Sequence, residues 1–142
     1  MDEANNSMHL RELIRIFERK LTMLKDKQIS CCGITMAQCH ALVEIGRAVH
    51  ISLNELAKIL NLENSSMSRM VNNLVNKTWV KREIDPQDRR YVTIMLTESG
   101  KKLFNDIETS MNTYFREVYN SLPVDKRDQV LDSLQLLLGS IK

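Results

Sequence analysis

Glycine and proline are scarce, four and two among 142 residues, which argues against an all-β fold with many turns. No stretch approaches the roughly 18 consecutive apolar residues of a membrane-spanning helix, so no membrane role is expected. The N-terminus, Met-Asp-Glu-Ala-Asn-Asn-Ser, lacks the apolar segment of a signal peptide, and a cytoplasmic location is expected. There the three cysteines are thiols by default rather than a disulfide framework. A Gly-rich phosphate loop and a catalytic carboxylate constellation are both missing, so no cofactor and no enzyme activity are expected. The net charge of +2 is too small to argue a nucleic-acid partner by itself.

Hydrophobic residues make up 43% and charged residues 27%, the balance of one globular domain with a core of its own. Residues 8–28 read as a long helix with Leu10, Leu13, Ile14, Phe17, Leu21 and Leu24 on one stripe. Thr35 with Gln38 spells a capping box for a second helix, and Ile34 with Cys39 its hydrophobic staple. That helix is expected to stop near Gly46, before a short extended link Val49-His50-Ile51. Ser52 with Glu55, and Ile51 with Leu56, repeat the box and staple for a third helix. Residues 61–64 then turn into a fourth. Thr97 caps a fifth helix striped by Leu103, Phe104, Ile107, Met111, Phe115, Val118 and Leu122. After Pro123, a sixth helix is expected to bury Val130, Leu131, Leu134, Leu137, Leu138 and Ile141.

Residues 64–96 carry the densest functional signal. Met67, Met70, Val71, Leu74 and Val75 recur at helical spacing. The opposite face holds Ser65, Ser66, Ser68, Arg69, Asn72, Asn73, Asn76 and Lys77 and no acidic residue. Hydroxyls, amides and arginine are the groups that reach phosphates and base edges in a DNA groove. From Asn64 to Arg82, the charged residues are Arg69, Lys77, Lys81 and Arg82, all basic. A charge run alone more often means a solvated helix face. Residues 79–84 and 91–96 alternate as two strands around a charged tip, Asp85-Pro86-Gln87-Asp88-Arg89-Arg90. The fold class is therefore mainly α with a small β wing: a winged helix-turn-helix over residues 35–97, with 1–34 and 98–142 as a helical dimerisation region.

The wing pattern Asp85-Pro86-x-Asp88-Arg89-Arg90 and the helix entry Leu96-Thr97-x-x-Gly100 resemble the MarR family of bacterial transcription regulators. Ser66-Met67-Ser68-Arg69 with Leu74 is similar to the family's recognition helix. The resemblance implies a homodimer built from the first, fifth and sixth helices, with double-stranded DNA as partner. It implies one recognition helix per major groove and a wing arginine in the flanking minor groove. On that basis Ser66, Ser68, Arg69 and Asn73 are base or phosphate contacts, with Ser65, Asn72 and Lys77 beside them. Arg89 and Arg90 are both DNA-contact candidates, with Arg89 favoured for the minor groove because Asp88 can pair with Arg90, and the division between the two stays open; Asp85 and Asp88 support the wing. One departure stands out. The family commonly has Gly at the end of the recognition helix, where this chain has Thr78, a residue that resists the left-handed conformation. Pro123 likewise replaces a hydroxyl residue that often caps the last helix.

The remaining question is the signal. Cys31, Cys32 and Cys39 lie within nine residues, a possible soft site for a thiophilic metal or metalloid, or a redox sensor. The bland alternative is that they are small buried hydrophobes. Zinc-sensing relatives use a histidine pair in the fifth helix, and His9, His40 and His50 all lie elsewhere, so no metal site is assigned. A small apolar or phenolic effector is the other option, with Met8, Phe17, Met36 and Met111 as candidate lining. Taken together, the sequence predicts an operator-binding regulator, a repressor under effector control. The competing function is a winged-helix module that binds protein without specific DNA binding.

Overall fold

The computed structural model describes residues 2–29 and 33–142, with 25–29 described by backbone alone. The chain forms two compact units, Met1–Ile107 and Glu108–Lys142. In the first unit the order is α1 (Glu3–Ile29), α2 (Met36–Ala48), β1 (Ile51–Ser52), α3 (Leu53–Leu60), α4 (Asn64–Asn76), β2 (Val80–Ile84) and β3 (Val92–Leu96). Helix α5 (Glu98–Ser121) begins there and ends in the second unit, which continues through a 3₁₀ turn (Val124–Lys126) into α6 (Arg127–Ser140). This is the mainly helical fold with a small wing that the sequence implies.

Local chemistry explains most boundaries. The Thr35 hydroxyl accepts from the Gln38 amide, and the Gln38 side chain accepts from the Thr35 amide, closing the first capping box. Ser52 caps α3 by accepting from the Glu55 amide at 3.1 Å, while its own hydroxyl donates to the Glu55 carboxylate at 2.9 Å. Asn61, at φ 54°, ends α3 in the left-handed conformation that Asn tolerates well. The core of the first unit gathers Leu42, Ile45, Leu56, Met67, Val71, Leu74, Val80 and Ile94, all essentially inaccessible to solvent.

Three expectations are corrected. Helix α1 starts at Glu3, not residue 8. Helix α2 runs past Gly46 to Ala48. Gly46 is instead a seat for the Phe104 ring, since a β-carbon there would lie 2.5 Å from it. The link before α3 is a third strand, so the order is β1-β3-β2, with Ile51 opposite Ile94 and Val80 opposite Leu96. Helix α6 has no buried residue in the single chain, where Leu131, Leu134, Leu136, Leu138 and Ile141 are all exposed. Leu10, Leu13 and Phe17 of α1 are exposed as well.

Strain is concentrated at two β-branched residues. Val49, at φ 68° and ψ −55°, makes a tight γ-turn closed by the His50 amide on the Ala48 carbonyl at 2.8 Å. Thr78, at φ 67°, takes the left-handed place after α4. The Trp79 amide reaches the Leu74 carbonyl and the Thr78 amide the Val75 carbonyl, a Schellman ending made without glycine. The Thr78 carbonyl then accepts the hydroxyls of Thr97 (2.5 Å) and Ser99 (2.8 Å). The Trp79 carbonyl accepts the Thr97 amide at 3.0 Å, directly beneath Gly100. The Leu-Thr-x-x-Gly signature is thus a weld between the foot of the wing and the start of α5.

Candidate nucleic-acid interface

Helix α4 buries Met67, Val71 and Leu74 and turns Ser65, Arg69, Asn72, Asn73 and Asn76 to solvent, with Ser66 and Ser68 half-buried at the flanks. Thirteen residues at ~1.5 Å each give a helix of about 20 Å, a fit to part of a major groove. No side chain caps its start, which leaves first-turn amides open to an anion. The helix is braced at its first residue, where the Asn64 amide group donates to Asn54 of α3 at 2.7 Å.

The polar side chains divide into held and unheld. Among the described residues, Arg69 and Arg89 have no carboxylate partner. Asn72 is held: Arg82 of β2 donates to its Oδ1 at 2.6 Å. Lys77 is held too, its ammonium donating to the Gly33 carbonyl at 2.9 Å while lying 5.2 Å from the centre of the Trp79 ring. Neither pairing was legible in the sequence, because the partners lie on other elements.

The wing tip is built by its two aspartates. Asp85 accepts from the Gln87 amide at 2.8 Å across Pro86, and its own amide meets the Tyr91 carbonyl at 2.9 Å. Asp88 accepts the Arg90 guanidinium through two nitrogens, at 3.0 and 2.8 Å, and the Arg90 amide at 3.1 Å. Those bonds hold the Asp88 carboxyl below its ordinary value and raise Arg90. Arg90 is therefore engaged within the wing, and Arg89 extends without a carboxylate partner beside it.

A cavity of about 560 Å³ opens where the end of α2, the foot of the wing and the first turns of α5 meet. Ile45, Met95, Leu96 and Phe104 give it apolar walls, with Lys81 and Lys101 also on its lining. None of Met8, Phe17, Met36 and Met111 lines it. Cys39 is a buried thiol at the staple position of α2, and Ile34 is buried as well. Cys31 and Cys32 lie outside the described residues, and among the described residues no group of three His, Cys, Asp or Glu side chains is placed to hold a metal ion.

A helix pair α3–α4 with a three-stranded wing behind it defines a winged helix-turn-helix protein. The family model described as MarR family matches residues 34–92. The multiple antibiotic resistance protein MarR of Escherichia coli is 35% identical over 99 residues, 70% of this chain and 69% of that protein. The chain belongs to the MarR family of transcription regulators. Its fold matches a cysteine-to-serine mutant of E. coli MarR complexed with operator DNA, with a TM-score of 0.76, 29% identity and 99% of each chain covered. It also matches the Staphylococcus aureus MepR–DNA complex, with a TM-score of 0.78, 25% identity, and 92% and 96% covered.

Proposed function

We propose that this protein is a repressor that binds a pseudo-palindromic operator as a homodimer and releases it in response to an effector. The observation that carries this is the acid-free outer face of α4 set beside the wing, where Arg69 and Arg89 are both without a carboxylate partner among the described residues. In this reading Ser65, Ser66, Ser68, Arg69, Asn72 and Asn73 meet the major groove. Arg89 enters the minor groove, Arg90 orients the wing tip, and Lys77 shapes the helix end rather than reaching far into DNA. The exposed apolar faces of α1 and α6 are what a second copy covers, which makes 1–34 and 98–142 the dimerisation region. Two-fold symmetry then sets the half-sites about one helical turn apart, roughly 34 Å, or a multiple of it.

The apolar cavity between α2, the wing foot and α5 is the effector site in this reading. Its volume suits a drug-sized molecule, and it touches both the wing and α5, so filling it retilts one against the other. Modification of Cys31, Cys32 or Cys39 is the other entry for a signal. Operator affinity of wild type and a triple Cys→Ser form, with and without oxidant or arsenite, decides that point: identical responses eliminate it. The test of the main proposal is duplex binding against salt. If Z phosphates are neutralised, log K falls with log[salt] at a slope of about −0.9Z. Absent or salt-insensitive binding points instead to a protein-interaction module.

A further inference from the structure

We infer that Arg82 sets the polarity with which Asn72 reads DNA, making this amide a donor that selects acceptor base edges. The inference rests on the DNA-binding reading above. An asparagine carboxamide left to itself has two orientations, and its bidentate partner in the major groove is adenine, through N6 and N7. Here the choice is made by the protein. A guanidinium carries N–H donors and no acceptor, so the group it meets at 2.6 Å is the amide oxygen. The Nδ2 group of Asn72 is then the end left for DNA.

Two further observations strengthen this. Asn72 is exposed on the outer face of α4, beside Arg69 and Asn73, so its amino end has access to a groove. Among the described residues no carboxylate pairs with Arg82; its bonded partner is the neutral Asn72. An adenine approaching Oδ1 would bring its N6 amino group against that positive charge. Guanine O6 and N7, or thymine O4, meet the Nδ2 donors without conflict, whereas adenine offers N7 alone and sets its N6 amino donor beside it. Arg82 is thus a positioning residue: it lies on the wing strand β2 and acts on sequence choice through a side chain of α4.

The test uses the full-length protein and selection from a randomised duplex pool. Wild type, Asn72→Ala, Arg82→Met, Arg82→Lys and the double variant Asn72→Ala/Arg82→Met are compared, each checked for folding by circular dichroism. The position that Asn72→Ala renders indifferent is the one Asn72 reads. There wild type is expected to favour guanine or thymine over adenine by on the order of tenfold, the scale of one good base contact. Arg82→Met frees the amide and moves the preference to adenine. Arg82→Lys, still donor-only, restores the wild-type preference, and the double variant behaves as Asn72→Ala. An Arg82→Met protein with wild-type preference overturns the inference. So does a uniform loss across all sequences with a shallower salt slope, the mark of a plain phosphate contact, or an Asn72→Ala pool with no indifferent position. If Arg82→Met does not fold, Arg82→Ala takes its place with the same two outcomes: a move to adenine supports the inference and an unchanged preference overturns it. Failure of wild type to bind any duplex defeats the DNA-binding reading itself, a distinct result.

Discussion

Gly100→Ala should unlock the wing from α5. A β-carbon at this position would lie 1.9 Å from the Trp79 carbonyl oxygen and 2.8 Å from its carbon, and both are backbone atoms. A relaxed carbon–oxygen contact needs about 3.3 Å, so the strand foot and helix start must separate by about 1.4 Å. That movement lengthens the Thr97 amide bond to Trp79 and the Thr97 and Ser99 hydroxyl bonds to Thr78 beyond useful range. Three such bonds contribute about 2–4 kcal/mol in net terms. Alanine returns about 1 kcal/mol of helix propensity, leaving a loss of about 1–3 kcal/mol. Thermal unfolding followed by circular dichroism at fixed protein concentration should show a midpoint about 4–10 °C lower. A Gly100→Ala protein that melts at or above the wild-type temperature refutes the weld.

Thr78→Gly removes a left-handed β-branched residue, worth about 1–2 kcal/mol, at an entropic cost of about 0.5–1 kcal/mol, so denaturant midpoints should stay level or rise. A clear fall would show that the Thr78 side chain contributes more than its φ angle costs. Ser52→Ala should destabilise by about 1 kcal/mol through loss of the α3 cap, while strand pairing with Thr93, made by backbone, persists in amide exchange. Asp88 titrates below its ordinary value of 3.8 because Arg90 bonds its ionised form. The pairing therefore supports the wing above that ordinary value and is lost as pH falls through the depressed one. NMR of wing amides should show acid loosening in wild type, and Asp88→Asn should be loose already at neutral pH; equal behaviour of the two removes the role.

Features whose cause is local were legible in the chain. The Thr35 and Ser52 caps, the alternation of the wing strands and the Asp-Pro tip each depend on residues within a few positions. Features whose cause lies elsewhere were not. Gly46 looked like a helix stop because glycine commonly is one, and only the Phe104 ring shows its use. The two-residue β1 exists because β3 lies alongside it, and two residues cannot announce a strand. At the interface, the polar face of α4 was readable as a composition, but the holding of Asn72 by Arg82 and of Lys77 by Gly33 joins separate elements. The Thr78 departure posed a question in the sequence, and the paired hydroxyls of Thr97 and Ser99 answer it.

The pairing of β1 with β3 bears on the order of assembly. Helices α3 and α4 are neighbours in the chain and find each other through short loops. Strand β3 must close a loop of roughly forty residues to meet Ile51, and such closures come late because chain entropy opposes them. A folding chain therefore completes the α3–α4 pair before the strand pairing behind it. In pulse-labelled hydrogen exchange, α3 and α4 amides should gain protection first, and early protection of β3 would contradict this sequence of events.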